Sequence, residues 1–545
     1  MNAPAPSPQK NRPMDASLRN PTRILWSSHA TNPERLLRSA DQAIVGDPAQ
    51  CVLKHAGEEP GVLLDFGREL HGSLQLVTTT YDPKKPLRVR VRFGESASEA
   101  MGETDQDHAI HDQVLLVPWC GSVEVGPTGF RFARIDLLDE GTSLGLTGAL
   151  ARLREISTPR AGSFSCSDRR VNDVWEVAAR SVELCMQDYL WDGIKRDRLV
   201  WMGDLHPEIM VVHALHGAHP VVPRSLDLVR DTTPLPHWMN GISSYSLWWI
   251  RVQHDWFQRT GDRAYLAAQL TYLKALLEQV LATIRPDGSH SFPAGLIDWA
   301  TAHDPATTAA GMHALLSWSL AAGAGLCHEL GEAGLAQRCR TAVQALIAHG
   351  APAASTKQAA ALAVLGGMRD PVEANRVVLA PNPGAGLSPF YGYYVLEARA
   401  KAGDVAGGLD LLRNYWGAML DLGATSFWEH FDEQWLAGDL PAGRIDELPG
   451  SGVRDVHRTT GDHCYRGLRH SFCHGWSGGP AAWLPEQVLG VTPASPGYAT
   501  VRIAPQLGGL EWAEGVVPTP HGPITVRAQR GAEPEISLPK GVRRV

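Results

Sequence analysis

The most unusual stretch of the chain is Asp192-Gly193-Ile194-Lys195-Arg196-Asp197-Arg198-Leu199-Val200-Trp201-Met202-Gly203-Asp204. Asp192, Asp197 and Asp204 alternate there with Lys195, Arg196 and Arg198 beside Trp201, a mixture suited to gripping hydroxyls and stacking on a sugar ring. A solvated loop with surface ion pairs is the plainer reading of the same spacing. A second cluster is Gly423-Ala424-Thr425-Ser426-Phe427-Trp428-Glu429-His430-Phe431-Asp432. Glu429 sits there among aromatic rings, where lost hydration can shift a carboxyl toward acid or base use; the alternative is an aromatic core with Glu429 at its rim. The third is Ser471-Phe472-Cys473-His474-Gly475-Trp476-Ser477, with His474 just before a helix. A lone histidine in that position is commonly structural.

Other candidates are weaker. His213, His216 and His219 step by three with His206 upstream, but no carboxylate or cysteine completes a metal motif, so neither metal nor cofactor is expected. Gly323 and Gly325 follow no strand and precede no Lys-Ser/Thr, which excludes a nucleotide loop. Cys473 beside His474 invites a thiol nucleophile, yet adjacent side chains generally point apart.

The elements that must position these residues read as β, then a long α, then β. From Cys51 to Glu155 the apolar period is two, as in Leu87-Arg88-Val89-Arg90-Val91-Arg92-Phe93, and closely spaced turn signals suggest an antiparallel sandwich of short strands. After Ser167 the period becomes helical: Val171, Val174, Trp175, Ala178, Val182, Cys185, Met186 and Tyr189 form one stripe. Further stripes fall at about 243–260, 264–284, 307–330, 335–349, 389–402 and 405–420, with Gly261, Gly331, Gly350 and Gly403 as stops. So long a helical run, without heptads or a sharp repeat, suits a closed ring of helical hairpins. The one long interruption is 429–471; loops of that length are usually functional or mobile. The expected domains are an N-terminal arm at 1–26, a β-sandwich at 27–160, a helical domain at 161–492 and a small β domain at 493–545.

With 545 residues and 44% hydrophobic content the chain has material for more than one core, and a charge of −8 offers no basic stripe for a phosphate backbone. Nucleic acid is therefore not an expected partner; a neutral, polar small molecule is. The reading finds no apolar stretch of bilayer length and no signal peptide, which makes the cytoplasm the default location. Eight cysteines without CxxC spacing read as buried thiols in a reducing compartment.

Taken together, the clusters resemble the bacterial α-L-rhamnosidases of glycoside hydrolase family 78. The likeness extends to Val62-Leu63-Leu64-Asp65-Phe66-Gly67-Arg68-Glu69, to Gly129-Phe130-Arg131-Phe132-Ala133-Arg134-Ile135 and to Gly515-Val516-Val517-Pro518-Thr519-Pro520-His521-Gly522. It implies a multidomain α and β chain: an (α/α)6 barrel catalytic domain flanked by an N-terminal β-sandwich and a small C-terminal β-sheet domain. It also implies inverting hydrolysis of terminal α-L-rhamnosides. By the same resemblance Glu429 is the general base, and Asp192, Arg196, Trp201, Asp204 and His474 hold the sugar. Trp299 is an aromatic wall and Trp249 another. The family usually has Glu where this chain has Asp197 as general acid. The shorter side chain retracts the carboxyl by one methylene, so either the backbone compensates, the reaction is slow, or Glu208 serves.

If Asp197 and Glu429 face one pocket, the first can protonate the leaving oxygen while the second activates water on the opposite face. A separation of about 6.5–9.5 Å predicts inversion and about 5–5.5 Å retention. Small plant or flavonoid rhamnosides and short oligosaccharides are the expected substrates. Two alternatives remain: a helical-ring glycosidase for another sugar, and a rhamnoside-binding protein without turnover. Oligomeric state is left open.

Overall fold

A computed structural model of the chain describes residues 17–103, 111–448, 450, 452–462 and 465–545. Nine strands come first: β1 (Leu18–Arg19), β2 (Arg23–Ser28), β3 (Ala30–Thr31), β4 (Cys51–Lys54), β5 (Gly61–Thr78), β6 (Leu87–Gly94), β7 (Asp112–Val117), β8 (Gly121–Leu137) and β9 (Ser143–Leu153). They form one antiparallel hydrogen-bonded sheet in the order β3-β4-β9-β5-β8-β6-β7. The expected short strands are replaced in part by long ones, of 18 residues in β5 and 17 in β8. The first half of β5 pairs with β2 and its second half with β9, with register shifts between Asp65 and Leu70 and between Gly72 and Leu74. Bulges bend a strand and let it change partners, so the sheet turns over its own core without splitting into separate sheets. The part of the expected arm that is described belongs to this sheet: β1 pairs with β9 and β2 with β5, while residues 1–16 lie outside the described residues. In β6 the alternation buries Leu87, Val89 and Val91. It breaks at Arg92, which is buried and paired with Asp136 at 2.8 Å; a charge so placed needs its partner. From β6 the chain enters a one-turn helix, α1 (Ala97–Met101).

The helical domain follows, as α2 (Arg169–Cys185), α3 (Leu205–His216), α4 (Val221–Thr232), α5 (Ser243–Thr260), α6 (Arg263–Leu281), α7 (Pro305–Glu329), α8 (Ala333–His349), α9 (Lys357–Leu365), α10 (Pro371–Ala374), α11 (Pro389–Lys401), α12 (Val405–Leu411), α13 (Gly417–Asp421), α14 (Val456–Thr459) and α15 (Pro480–Trp483). Contacts run from α3 to α5, α7, α9, α11 and α15 and back to α3, closing an inner ring of six helices. The helices of this ring are buried nearly all round, α11 from Pro389 to Leu396 without a break. The outer helices bury one stripe, as α8 does with Leu335, Ala336, Cys339 and Leu346. That contrast follows from layering: an inner helix meets neighbours on every side, an outer one on a single face. By length and composition α7 is apolar enough to cross a bilayer, which the sequence reading missed, and 83% of its most apolar window is buried inside the ring.

The C-terminal strands form two small sheets. One contains β10 (Ser163–Cys166), β13 (Trp512–Val517), β14 (Ile524–Gln529) and β15 (Glu535–Ser537); the other contains β11 (Val491–Pro493), β12 (Thr500–Ile503) and β16 (Arg543–Arg544). Because β10 pairs with β13, residues 163–166 belong with the C-terminal sheet and not with the helical domain that they precede. Of the described cysteines, Cys51, Cys166, Cys185, Cys327, Cys339 and Cys473 are buried free thiols and Cys120 is half-buried; Cys464 lies outside the described residues.

Candidate active site

The three sequence clusters meet above the inner ring. The segment after α2 folds back on itself: Asp192 N–H donates to Leu199 O at 3.0 Å, and Leu199 N–H donates to Asp192 Oδ1 at 2.9 Å. The 471–477 segment is stitched to both others, through Gly475 N–H to Asp192 O at 2.8 Å and His474 N–H to Phe427 O at 3.0 Å. Glu429 N–H donates to Ser471 O at 3.0 Å, and Trp476 Nε1–H donates to Glu429 O at 2.9 Å. Gly203 allows a further close approach. A Cβ there would lie 2.1 Å from the Tyr245 ring, and that ring sends its hydroxyl to Asp204 Oδ1 at 3.2 Å.

Arg196 stands at the centre. One end of its guanidinium, Nη2, makes a short contact with Glu429 Oε2, and the other, Nη1, lies 3.4 Å from Asp197 Oδ1. Its Nε–H donates to Arg469 O at 3.0 Å, which fixes the plane of the fork. Ser471 N–H adds a 3.4 Å contact to the same Glu429 oxygen. On the other side of Glu429, His474 Nε2 lies 3.8 Å from its Oε1 and 3.9 Å from both Asp192 Oδ2 and Asp204 Oδ2.

Burial governs the electrostatics. It raises the carboxyls of Asp192 and Asp204 well above the ordinary aspartate range, and neighbouring carboxylates add to the shift. Glu429 is raised by burial and pulled back by the Arg196 guanidinium. His474 is held far below the usual histidine value, first by burial and then by Arg196, so its imidazole is neutral. Asp197 and Arg198 have φ of 51° and 55°, left-handed backbone that non-glycine residues rarely adopt. Arg198 Nη1 donates to Pro127 O at 3.1 Å, so the β-sheet domain holds this turn in place. Such strain often marks functional sites.

Asp192, Arg196, Asp197, Asp204, Glu429 and His474 thus converge. Trp201 joins them edge-to-face against Tyr245, with ring centres 6.2 Å apart. Trp249 does not. It is fully buried, donates from Nε1 to Leu226 O at 3.3 Å and packs on Tyr272, so it faces the outer helices as core. Trp299 is half-buried in a short turn capped by Asp298, whose carboxylate accepts from Ser388 Oγ at 2.7 Å and Gln358 Nε2 at 3.0 Å. Glu208 is fully buried against Gly475, where a Cβ would lie 2.4 Å from its carboxyl carbon. Cys473 is likewise buried, with its thiol toward Ser181 O at 3.9 Å. His213 stacks on Tyr498, and His216 lies 3.3 Å from Glu183.

Sequence reasoning named Lys195 only as one cation of the first cluster and gave no role to Ser471, Tyr245 and Glu95. Ser471 opens the third cluster, and Tyr245 lies in the helical stripe at 243–260. Glu95 comes from the β-sheet domain and has no local signal beyond the Ser96-x-x-Glu99 capping pattern that follows it.

Residues 159–333 match the family model described as the bacterial α-L-rhamnosidase six-hairpin glycosidase domain, and residues 490–543 match the bacterial α-L-rhamnosidase C-terminal domain. No curated protein matches the chain. Among solved structures, the GH78 family rhamnosidase of Bacillus sp. GL1 is 24% identical with a TM-score of 0.74, over 94% of this chain and 56% of that one. A rhamnosidase from Klebsiella oxytoca with rhamnose bound is 21% identical with a TM-score of 0.68, over 87% and 96%. The Streptomyces avermitilis α-L-rhamnosidase complexed with L-rhamnose is 19% identical with a TM-score of 0.69, over 97% and 50%. The chain therefore spans little more than half the length of the Bacillus enzyme. In its two matched segments the chain is similar to bacterial α-L-rhamnosidase domains, and it shares the fold of the solved GH78 rhamnosidases.

Proposed function

We propose that this protein is an inverting exo-α-L-rhamnosidase that removes terminal α-L-rhamnose from small glycosides, with Asp197 as general acid and Glu429 as general base. The observation that carries the reading is the sharing of the Arg196 guanidinium by these two carboxylates, with Asp192, Asp204 and His474 gathered around Glu429. Two carboxyl groups on opposite edges of one fork are spaced by its width plus two contacts. That favours room for an interposed water, the arrangement inversion requires.

Exposure supports the division of roles. The side chain of Asp197 is 32% exposed and that of Glu429 5%, so Asp197 can meet a leaving group that extends toward solvent while Glu429 works from within. Arg196 favours the ionised form of Glu429, as a base needs. Asp192 and Asp204, raised toward protonation, can donate as well as accept, which suits sugar hydroxyls. The distances of 3.8–3.9 Å around His474 Nε2 exceed hydrogen bonds and match groups bridged by a hydroxyl. Trp201 and Trp299 would face the apolar 6-methyl of rhamnose. The closed inner ring of helices fits an (α/α)6 barrel with its site at one mouth. Plant or flavonoid rhamnosides and short oligosaccharides are the proposed substrates, met in the cytoplasm.

A set of aryl glycosides differing only in the sugar tests the reading. Turnover of the α-L-rhamnoside, with β-L-rhamnose as the first anomer seen by proton NMR, is the expected result. Release of the α anomer would overturn inversion, and preference for another sugar would overturn the substrate. Rhamnose binding without turnover, unchanged in Asp197→Asn and Glu429→Gln, would favour a binding protein.

A further inference from the structure

Outside the convergence of Asp197 and Glu429 the molecule buries a second group of charges, at the seam between the β-sheet domain and the helical domain. Lys195 is 1% exposed. Its ammonium lies 2.8 Å from Glu99 Oε1, in the first turn of α1, and 3.3 Å from Glu95 Oε2, in the turn that joins β6 to α1. It also donates to Leu468 O at 2.8 Å and His470 O at 2.6 Å. Glu95 accepts from Phe472 N–H at 2.5 Å, and the Ser471 hydroxyl lies between Cys473 O at 3.1 Å and Glu95 Oε1 at 3.4 Å. The Glu99 carboxylate accepts from Glu95 N–H at 2.8 Å, and Glu99 N–H donates to the N-cap Ser96 Oγ at 3.1 Å at the start of α1.

These contacts grip both segments that present the candidate catalytic pair. Lys195 immediately precedes Arg196, the residue shared by Asp197 and Glu429. Ser471, beside the Phe472 N–H that Glu95 holds and with its own hydroxyl between Cys473 O and Glu95, turns its N–H to Glu429 Oε2. The arrangement is costly, because Glu95 and Glu99 bring two buried carboxyls to one ammonium, with a third buried carboxyl, Glu69, close enough to feel both. Glu69 has one carboxyl oxygen without a partner, and burial with the neighbouring Glu95 holds it well above the glutamate range, so it is protonated.

We infer that Glu95 of the β-sheet domain, acting with Lys195 and Glu99, is a positioning residue for hydrolysis: it sets the place of Ser471 and Arg196 and through them that of Glu429. The β-sheet domain then completes the active site and is not a mere neighbour of it. The inference rests on the proposed rhamnosidase activity. The groups that face Glu95 are Lys195, Glu99, Glu69 and His457, the last stacked on Phe472 with ring centres 3.9 Å apart and bonded to Ser96 Oγ at 2.7 Å.

Glu95→Gln keeps the shape and one acceptor oxygen but removes the charge that Lys195 answers. Steady-state kinetics of the full-length protein on an aryl α-L-rhamnoside are expected to show kcat lower by about tenfold to 100-fold, as for displacement of a reacting group by about 1 Å, with KM changed far less. The limb of the kcat–pH profile that reports Glu429 should also move. Ser471→Ala, which severs only the hydroxyl link, should give a smaller loss in the same sense and serves if Glu95→Gln does not fold. Asp446→Asn is the structural control: it breaks the cross-domain contact to Arg131, 3.2 Å long and separate from Arg196, and should lower Tm without the kcat loss. Wild-type kcat and an unmoved pH profile in Glu95→Gln or Ser471→Ala, with Glu429→Gln inactive, would overturn the positioning role alone. A wild-type protein inactive on every glycoside would overturn the rhamnosidase reading and this inference with it.

Discussion

Asp197 and Glu429, 232 positions apart in sequence, meet the two ends of a single guanidinium, that of Arg196. The planar fork defines a distance and an orientation between them that a point charge could not. Arg196→Lys keeps the charge but offers one ammonium where two separated nitrogens stood, so the carboxylates lose their common reference. We expect kcat on an aryl α-L-rhamnoside to fall about 100-fold, the cost of misplacing a reacting group by about 1 Å, with the far-ultraviolet spectrum unchanged. Activity near that of the wild type would show that the guanidinium does not set the pair.

Glu208 gives the converse case. Both of its carboxyl oxygens are buried without a hydrogen-bond partner, and burial followed by Asp204 and Asp192 drives it well above the glutamate range, so it is neutral in the folded protein. Glu208→Gln therefore replaces a neutral group by a neutral group of the same shape. Turnover of the same order as wild type and an undiminished Tm are expected. A loss as deep as that of Asp197→Asn would restore Glu208 as the proton donor. Glu208→Ala, by contrast, opens a cavity and should cost about 2 kcal/mol or more in urea unfolding.

What could be read before folding was whatever is written locally. The helical stripes of α2 and α8 follow from apolar spacing, and the Asp192–Asp204 and Gly423–Asp432 clusters stand out because they break such spacing. Contacts between distant segments left no local trace. Glu95 is one carboxylate at the end of a strand, and only the docking of α1 beneath Leu468–Phe472 gives it Lys195 as a partner. By sequence the strand β10 falls to the helical domain at 161–492, because its sheet partner, β13, comes almost 350 residues later. Likewise, β5 was legible as strand but not as an 18-residue one that changes neighbours, since a bulge is invisible to a period of two.

Trp249 and Trp201 separate core from wall. Burial of Trp249 and its hydrogen bond to Leu226 O predict a folding defect without a binding defect. Trp249→Phe should cost about 1–3 kcal/mol, from the carbonyl left unpaired, and leave KM for the rhamnoside unchanged. Trp201→Ala should raise KM with a smaller effect on unfolding, because its ring is only partly buried against Tyr245. Equal KM effects in the two variants would refute the division.

The buried titratable groups pull stability in opposite directions on the two sides of neutrality. Burial holds His206, His457, His470 and His474 well below 6.5, so below that pH the unfolded chain binds protons that the folded one refuses, and stability falls as the pH drops. The carboxyls of Glu69, Asp192, Asp204 and Glu208 are held well above their unfolded values, and Glu95 is pushed to about 7. Over the interval from the unfolded to the folded value the native state holds the extra protons, so these groups lower stability as the pH rises. Between pH 4.5 and 6.5 the two sets oppose each other; above pH 6.5 the histidines are neutral in both states and only the carboxyls act. Calorimetric scans at fixed ionic strength should therefore give a Tm that declines as the pH rises above about 6.5. Replacing Glu208 by Gln should flatten that decline, because one of the groups that must give up its proton is gone. A Tm that rises through this window would mean that the buried carboxyls are ionised and paired in the native state.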